Sequence, residues 1–276
     1  MHSDNTNLTD SNSKTPRSVA SFYDDFSKRF VDDIVQGNER VELQLKFLLQ
    51  ATPAEARDVL VVGCGAGQSP LLLATKAAQS ARVVAIDLSK DALNLAQRVF
   101  GHRRIEYLEA DVISEPLNGK WDVIVFPDSY EHIAVRDRAA LHVKLDGLLS
   151  DVGRILLTVP SPGKQRMLKE SGQGLQIIDE VVSLEDLREL ARSVKGTLTY
   201  FNMISVWQTN DYVHAVVERG ADRPGEITQF NMVPIKGCSK RNLWMRGRDF
   251  LRYRLRIGVI EEAWKRRRLM KRLQAQ

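Results

Sequence analysis

Three side chains capable of acid–base chemistry stand close together in the stretch WDVIVFPDSYEHI, at Asp128, Glu131 and His132. Their spacing of three and four residues places them on one side of a turn or short helix, so they can converge on one object. Imidazole has an ordinary pKa near neutrality, which suits a general base, and the two carboxylates can orient it or bind an acceptor. This pattern predicts a catalytic group made of Asp128, Glu131 and His132.

A glycine-rich stretch, VLVVGCGAGQ at residues 59–68, indicates a ligand-binding loop. Gly63, Gly65 and Gly67 follow four apolar residues, and glycine lets the backbone approach a ligand closely where a strand ends. The spacing fits neither the Gly-x-Gly-x-x-Gly loop of dinucleotide-binding proteins nor the Gly-Lys-Ser/Thr of a P-loop. Asp87 ends the next apolar stretch, where a carboxylate can accept both hydroxyls of a ribose. The loop is therefore predicted to bind a ligand that contains a ribose, and not to bind through a pyrophosphate group of that ligand.

Strands and helices alternate along the middle of the chain, and this order predicts how the candidate groups are positioned. Five apolar stretches are predicted strands: DVLVV, RVVAIDLS, IEYLEADV, WDVIVFP and RILLTVP. Helical patterns separate them, which is typical of a parallel sheet covered on both faces. Two further strands, TLTYFNMISVW and DYVHAVVERG, have a short connection that allows an antiparallel pair but no parallel crossover. We expect an α/β fold with a seven-stranded, mostly parallel sheet and an antiparallel last strand.

Residues 59–133 resemble a class I S-adenosylmethionine-dependent methyltransferase, a family with a Rossmann-like fold. The glycine loop is similar to the first motif of that family, VVAIDLS to the second, LEADV to the third and WDVIVFPDSYEHI to the fourth. The resemblance implies S-adenosylmethionine as the cofactor, with its ribose on Asp87 and its adenine beside Leu88, Asp111 and Val112. The implied cofactor-binding residues are Gly63, Cys64, Gly65, Gly67, Asp87, Leu88, Asp111, Val112 and Asp128.

The order Asp-x-x-Glu-His is also similar to the Glu-x-x-Glu-His metal site of some ubiquinone-pathway and small-RNA methyltransferases. Two carboxylates and an imidazole could hold a divalent cation. In the RNA enzymes a further histidine follows the fifth strand, but the segment TVPSPGKQRMLKESGQGLQIIDE contains none. Most methyltransferases with the Glu-His pair need no metal, so we expect none here.

One position departs from the family pattern. The family usually carries an acid two residues before the first glycine, where it helps to hold the methionine end of the cofactor, but this position is Val61. The ammonium of the cofactor must then be met by backbone carbonyls, by Asp128 or by the N-terminal helices. In this fold type an N-terminal helical segment commonly closes over the cofactor, and Tyr23, in the amphipathic stretch SFYDDF, is the candidate for a lid contact with the cofactor.

The chain divides into four predicted parts: a disordered lead (1–18), a helical lid (19–52), the methyltransferase domain (53–220) and a linker with a basic helical extension (221–276). The formal net charge of +5 conceals an asymmetry, because residues 240–276 hold 13 Lys or Arg and three acids. An apolar stripe also runs along this extension through Phe250, Tyr253, Ile257, Ile260 and Trp264. The extension could dock on the body, self-associate, lie on an anionic membrane surface or bind RNA.

The expected activity is O-methylation of a small-molecule or saccharide hydroxyl, including one carried on a lipid. The alternatives are an RNA methyltransferase that uses the basic extension, and a non-catalytic protein that binds polyanions or membranes. No apolar run is long enough to span a bilayer, and the two cysteines form no disulfide framework. We expect a cytoplasmic protein that could associate peripherally with the inner membrane surface.

Overall fold

The computed structural model describes residues 37–172, 175–220 and 265–268. The helices in these ranges are α1 (Glu39–Ala51), α2 (Gln68–Leu72, continued by a π-helical turn over Leu73–Ala77), α3 (Lys90–Phe100), α4 (Val135–Leu148), α5 (Pro162–Ser171) and α6 (Leu184–Ser193). The strands are β1 (Asp58–Val62), β2 (Arg82–Asp87), β3 (Ile105–Glu109), β4 (Trp121–Pro127), β5 (Leu149–Pro160), β6 (Gly196–Ile204) and β7 (Tyr212–Arg219). A 3-10 turn over Tyr130–His132 carries part of the candidate catalytic group.

The seven strands form one sheet in the order β3-β2-β1-β4-β5-β7-β6. Strands β1 to β5 pair in parallel, whereas β7 is antiparallel to both β5 and β6. The predicted Rossmann-like sheet and its antiparallel last strand are therefore confirmed. Strand β1 lies between β2 and β4, so the chain reverses its direction across the sheet there. In such sheets, ligands bind at the carboxyl ends of the strands beside this reversal.

Apolar clusters cover both faces of the sheet, as the continuous apolar strands predict. The cluster on one face contains Phe47, Val61 and Val125, and the cluster on the other contains Leu60, Ile124 and Leu141. Alternation of side chains along β1 explains why neighbouring residues of that strand belong to different clusters.

Helix α1, the described part of the predicted lid segment, packs into the first of these clusters. Phe47 is fully buried, and its ring stacks on His214 of β7 with a centroid distance of 4.6 Å. Burial lowers the pKa of His214 to about 3, so the imidazole is neutral and packs as an aromatic ring. At the end of the helix, the buried Arg154 donates to the carbonyl of Ala51 at 3.0 Å and forms an ion pair with Glu218. Helix α1 thus shares the core of the sheet.

Several predictions concern residues that the structure does not describe. Tyr23, the predicted disordered lead and most of the basic extension lie outside the described residues. Within the extension only 265–268 are described, and they are helical with exposed side chains. Among the described residues, no helix combines the length and apolar character needed to cross a membrane.

The packing of α1 gives a first prediction. We expect Phe47→Ala to lower the free energy of unfolding by about 3–5 kcal/mol, because it removes a buried ring from a tightly packed cluster. Leu49→Ala is the matched control, since Leu49 lies on the same helix and is 44% exposed. Urea unfolding of both variants measures the difference. Equal effects would show that α1 does not contribute to the folded core.

Candidate active site

A pocket of about 590 Å³ lies at the carboxyl edge of the parallel strands. This volume is within the range of about 300–1,000 Å³ that small-molecule sites occupy. The glycine loop, the residues that follow β2, β3 and β4, and side chains of α1 and α5 line it. The pocket therefore stands at the reversal of strand order that the fold creates.

The glycine loop is shaped by left-handed backbone at Gly63, Gly65 and Gly67, whose φ angles are 71°, 50° and 90°. Close packing adds a second constraint, because a Cβ at Gly63 would lie 2.5 Å from the Cβ of Ser129. The hydroxyl of Ser129 also donates to the carbonyl of Val62 at 2.6 Å. The end of β4 is therefore packed directly against the loop, and a side chain at Gly63 would separate the two.

Asp87 has a structural role that the sequence pattern did not indicate. Its Oδ2 accepts a hydrogen bond from the backbone of Gly65 at 2.8 Å, and its Oδ1 accepts one from Ser89 at 3.0 Å. These bonds tie the glycine loop to the start of α3, where Ser89 caps the helix. A carboxylate has about four acceptor sites, and these two backbone bonds use one on each oxygen.

The other residues predicted to hold the nucleoside lie in the same pocket. Leu88, Asp111 and Val112 line it, and Val112 is buried. The carboxylate of Asp111 accepts from the backbone of Ile113 at 2.9 Å. Cys64 also lines the pocket, where burial raises the pKa of its thiol well above the usual value, which keeps the thiol protonated.

Asp128 has a left-handed backbone, with φ 53°, which is uncommon for residues other than glycine and is best tolerated by Asn and Asp. Its backbone N–H donates to the carbonyl of Thr158 at 3.0 Å, and the Thr158 hydroxyl donates to Oδ1 at 2.9 Å. Its Oδ2 forms an ion pair with Arg40 of α1. The carboxylate is thus held between β5 and the N-terminal helix.

The imidazole of His132 has a defined tautomer. Its Nδ1 lies 2.7 Å from the carbonyl oxygen of Ile178, and a carbonyl can only accept, so Nδ1 carries the proton. In the neutral ring, Nε2 is then the proton acceptor, and it lies 3.9 Å from Oε1 of Glu131. Oδ1 of Asp179 lies 3.4 Å from Nδ1. Burial lowers the pKa of His132, and Asp179 partly offsets this change.

Glu131 is 2% exposed. Burial raises its pKa from 4.5 to about 8, and the nearby Asp179 adds to this rise. Glu131 is therefore largely protonated at neutral pH, while His132 is neutral. Its Oε2 has no hydrogen-bond partner among the described residues, so a buried polar atom in the pocket wall is open to a ligand.

The structure adds three residues to the predicted site: Arg40 and Gln44 of α1, and Asp179 in the connection between α5 and α6. Asp179 lies in the segment TVPSPGKQRMLKESGQGLQIIDE, which follows the fifth strand and contains no histidine. Its carboxylate is the feature of the sequence that could have indicated a further residue of the site. No spacing rule links Arg40 or Gln44 to the motifs, because both reach the pocket through tertiary packing.

The side chains of the predicted catalytic group converge on the pocket. Asp128, Glu131 and His132 all line the pocket, with Asp128 paired to Arg40. Across residues 37–172 and 175–220, no group of three or more His, Cys, Asp or Glu side chains is placed to hold a metal ion.

Comparison with known proteins gives a family match and several structures of similar fold. Residues 59–153 match the family model described as a methyltransferase domain. Of the curated proteins compared with the chain, none matches it. The fold is similar to a TehB-like SAM-dependent methyltransferase from Corynebacterium glutamicum, with a TM-score of 0.54, 16% identity, and coverage of 72% of this chain and 98% of that one.

Two further solved structures show the same fold. For a SAM-dependent methyltransferase from Anabaena variabilis, the TM-score is 0.54 at 19% identity, over 73% of this chain and 95% of that one. For the DhpI–SAH complex, the TM-score is 0.58 at 18% identity, over 75% and 97%. The matched methyltransferase domain and the shared fold confirm the predicted resemblance to class I S-adenosylmethionine-dependent methyltransferases.

The raised pKa of Glu131 gives a prediction for the pH dependence of stability. The folded protein keeps a proton that the unfolded chain loses between pH 4.5 and about 8, so this contribution is complete below pH 4.5 and disappears as pH rises through 8. The variant Glu131→Gln has no carboxyl group at this position, so it lacks this pH-dependent contribution to stability. The free energy of unfolding of the wild type, relative to this variant, should therefore fall by about 1.4 kcal/mol per pH unit within that window.

Urea unfolding at a series of pH values measures this difference. Glu42→Gln, at an exposed position of α1, controls for the loss of a carboxylate. Parallel stability curves for the wild type and Glu131→Gln would show that Glu131 titrates at its ordinary pKa.

Proposed function

We propose that the protein transfers the methyl group of S-adenosylmethionine to a hydroxyl of a small molecule or saccharide. The observation that carries this proposal is the imidazole of His132, which is neutral and presents Nε2 as its proton acceptor in a pocket shared with the glycine loop. A base of this kind is needed when the acceptor must lose a proton, as a hydroxyl does.

The residues of the pocket fit the cofactor. The left-handed glycine loop brings backbone close to a ligand, and a Cβ at Gly63 or Gly67 would meet neighbouring atoms at 2.5 or 2.8 Å. Asp87 stands at the end of β2, where its carboxylate can accept ribose hydroxyls, and Leu88, Asp111 and Val112 can surround the adenine. The similarity in fold to the DhpI–SAH complex supports a nucleoside of this kind in this fold.

The chemistry asked of the protein is mainly positioning and proton transfer. Bound S-adenosylmethionine supplies an activated methyl group, so that the acceptor oxygen forms a bond to carbon as the carbon–sulfur bond breaks and its electron pair moves to sulfur. His132 takes the hydroxyl proton on Nε2. Asp179, near Nδ1, then stabilises the resulting imidazolium. The protonated Glu131 can donate a hydrogen bond to a polar group of the acceptor.

The wall of the pocket beyond His132 suits an acceptor with both apolar and polar surface. Trp207 and Tyr212 line it, with their rings edge to face at a centroid distance of 6.0 Å. Gln165 and Lys164 of α5 add polar groups on the same side. Aromatic rings with interspersed hydrogen-bonding groups favour a sugar or a phenol over a purely apolar acceptor.

A calorimetric titration with S-adenosylhomocysteine tests the cofactor, with NAD as the control ligand. We expect micromolar binding of the nucleoside thioether alone, and a loss of about tenfold to a hundredfold in Asp87→Ala, since this change leaves ribose hydroxyls unpaired and frees the glycine loop. Glu106→Ala, at an exposed position of β3, is the matched control. Unchanged affinity in Asp87→Ala would reject the ribose assignment.

A second measurement tests the base. Consumption of S-adenosylmethionine in the presence of a panel of monosaccharides and phenols should fall by about a hundredfold to ten-thousandfold in His132→Ala. Affinity for S-adenosylhomocysteine should stay within about threefold of the wild type, because the imidazole acts on the acceptor. His102→Ala is the matched control, because it replaces a histidine that does not line the pocket, and its turnover should match the wild type. Normal turnover in His132→Ala would remove His132 as the base.

A further inference from the structure

We infer that the acceptor is a polyhydroxylated molecule, a saccharide or a related polyol, whose hydroxyls beside the methylated one bind the side chains of Glu131 and Gln165. This inference rests on the proposed function, because it names the acceptor class of the same active site. It gives the two side chains a part in substrate selection and favours a saccharide over a phenol.

Two oxygen atoms in the pocket wall are buried and have no hydrogen-bond partner within residues 37–172 and 175–220. They are Oε2 of Glu131 and Oε1 of Gln165, which belong to residues only 2% and 1% exposed. Both residues line the pocket. A buried polar atom without a partner costs about 1–3 kcal/mol, so both oxygens need partners that the described part of the protein does not supply.

The orientation of the Gln165 amide is fixed by Asp179. Its Nε2 donates to Oδ1 of Asp179 at 2.9 Å, and the other carboxylate oxygen accepts from the backbone N–H of Gln176. Both partners are donors, so the carboxylate accepts through each of its oxygens, and the amide nitrogen must be the atom that faces it. The remaining amide atom, Oε1, can only accept. Its partner in a ligand must therefore be a hydroxyl or another donor.

The same carboxylate oxygen connects Gln165 to the proposed base. Oδ1 of Asp179 also lies 3.4 Å from Nδ1 of His132, and Oε1 of Glu131 lies 3.9 Å from Nε2 on the other side of the ring. The two oxygens that lack partners therefore belong to side chains on either side of the imidazole. An acceptor that presents one hydroxyl to Nε2 brings its neighbouring groups close to both.

Hydroxyl groups can satisfy both oxygens. A hydroxyl can donate to the carbonyl of Gln165, and it can either donate to or accept from the carboxyl group of Glu131. Burial raises the pKa of Glu131 to about 8, so this group carries a proton to donate at neutral pH. A phenol brings only the hydroxyl that is methylated. An acceptor with several hydroxyls is thus the class that leaves neither oxygen unpaired.

An aromatic ring at the edge of the pocket suits the ring of a sugar. Trp207 lines the pocket and is 54% exposed. The turn that carries it is held firmly, because the buried carboxylate of Asp211 accepts from the backbone N–H groups of residues 206–208, at 2.7, 3.0 and 2.9 Å. The C–H face of a pyranose can pack on such a ring while its hydroxyls reach polar groups. A ring that is apolar on its faces and polar at its edge therefore matches both parts of the wall.

The test removes one hydroxyl of the acceptor at a time. The probes are the methyl pyranosides of glucose, mannose and galactose with their monodeoxy derivatives, and phenol and cyclohexylamine are the acceptors with a single polar group. We expect S-adenosylmethionine to be consumed at least about tenfold faster with a saccharide than with either single-group acceptor. For the best saccharide, two monodeoxy derivatives that keep the methylated hydroxyl should lose about tenfold to a hundredfold in kcat/KM, because each leaves one buried oxygen unpaired. In Gln165→Leu, one of these two losses should shrink to within about twofold, because the variant has no amide oxygen to leave unpaired.

Gln97→Leu is the matched control, because Gln97 is exposed on α3 and does not line the pocket, and both losses should persist in it. Affinity for S-adenosylhomocysteine reports that each variant is folded with an intact cofactor site. Faster turnover of phenol or cyclohexylamine, no turnover of any saccharide, or equal deoxy losses in the wild type and Gln165→Leu would each overturn the inference. If the wild-type protein does not bind S-adenosylhomocysteine, the proposed function itself fails, and this outcome is distinct from the others.

Discussion

The hydroxyl of Thr158 is the group on which the placement of α1 and of Asp128 at the pocket depends. It accepts hydrogen bonds from the amide of Gln44 and the backbone N–H of Asp128, and it donates to the Asp128 carboxylate. A threonine hydroxyl has one donor and two acceptor sites, so all three are used. This buried hydroxyl therefore connects α1 and the turn after β4 to β5, the strand that lies between β4 and β7 in the sheet.

A buried network of hydrogen bonds stabilises the fold only if every polar group in it has a partner. The same burial that strengthens each hydrogen bond makes an unpaired polar group costly. It also explains why Asp128 can hold a left-handed backbone, a conformation that costs of order 1–3 kcal/mol in a residue other than glycine. Its N–H donates to both the carbonyl and the hydroxyl of Thr158, and its carboxylate accepts from that hydroxyl; these bonds compensate for that cost. The turn that follows then presents Glu131 and His132 to the pocket.

Burial also sets the chemistry of those two side chains. A carboxyl group and an imidazole that were both exposed would form a charged pair at neutral pH, but removal from water raises the pKa of Glu131 and lowers that of His132. The pair is therefore neutral, with one proton donor and one acceptor side by side. Such a division of roles follows from the environment and not from the residue types alone.

Much of the fold, and the glycine loop and Asp87 that line the pocket, could be predicted from the sequence, because both depend on local patterns. Apolar strands, the glycine loop and Asp87 follow each other at characteristic spacings. The order of the last strands, with β7 beside β5, is not contained in such patterns, since a short connection specifies only that β6 and β7 are antiparallel. Local patterns did not predict Arg40 or Asp179 either. Arg40 meets Asp128, and Asp179 meets His132, only after distant segments of the chain pack together.

The missing acid at Val61 can be understood from the position of α1. An acid there would lie in the apolar cluster that Phe47 and Leu48 complete, and burying an ionised carboxylate among such side chains costs several kcal/mol unless it is paired. A valine instead extends the core beneath the pocket and contributes apolar burial. The charged groups then lie at Asp128 and Arg40, where the Thr158 network supports them. Helix α1 thus both completes the apolar cluster that contains Val61 and supplies Arg40 to the ion pair with Asp128 after β4.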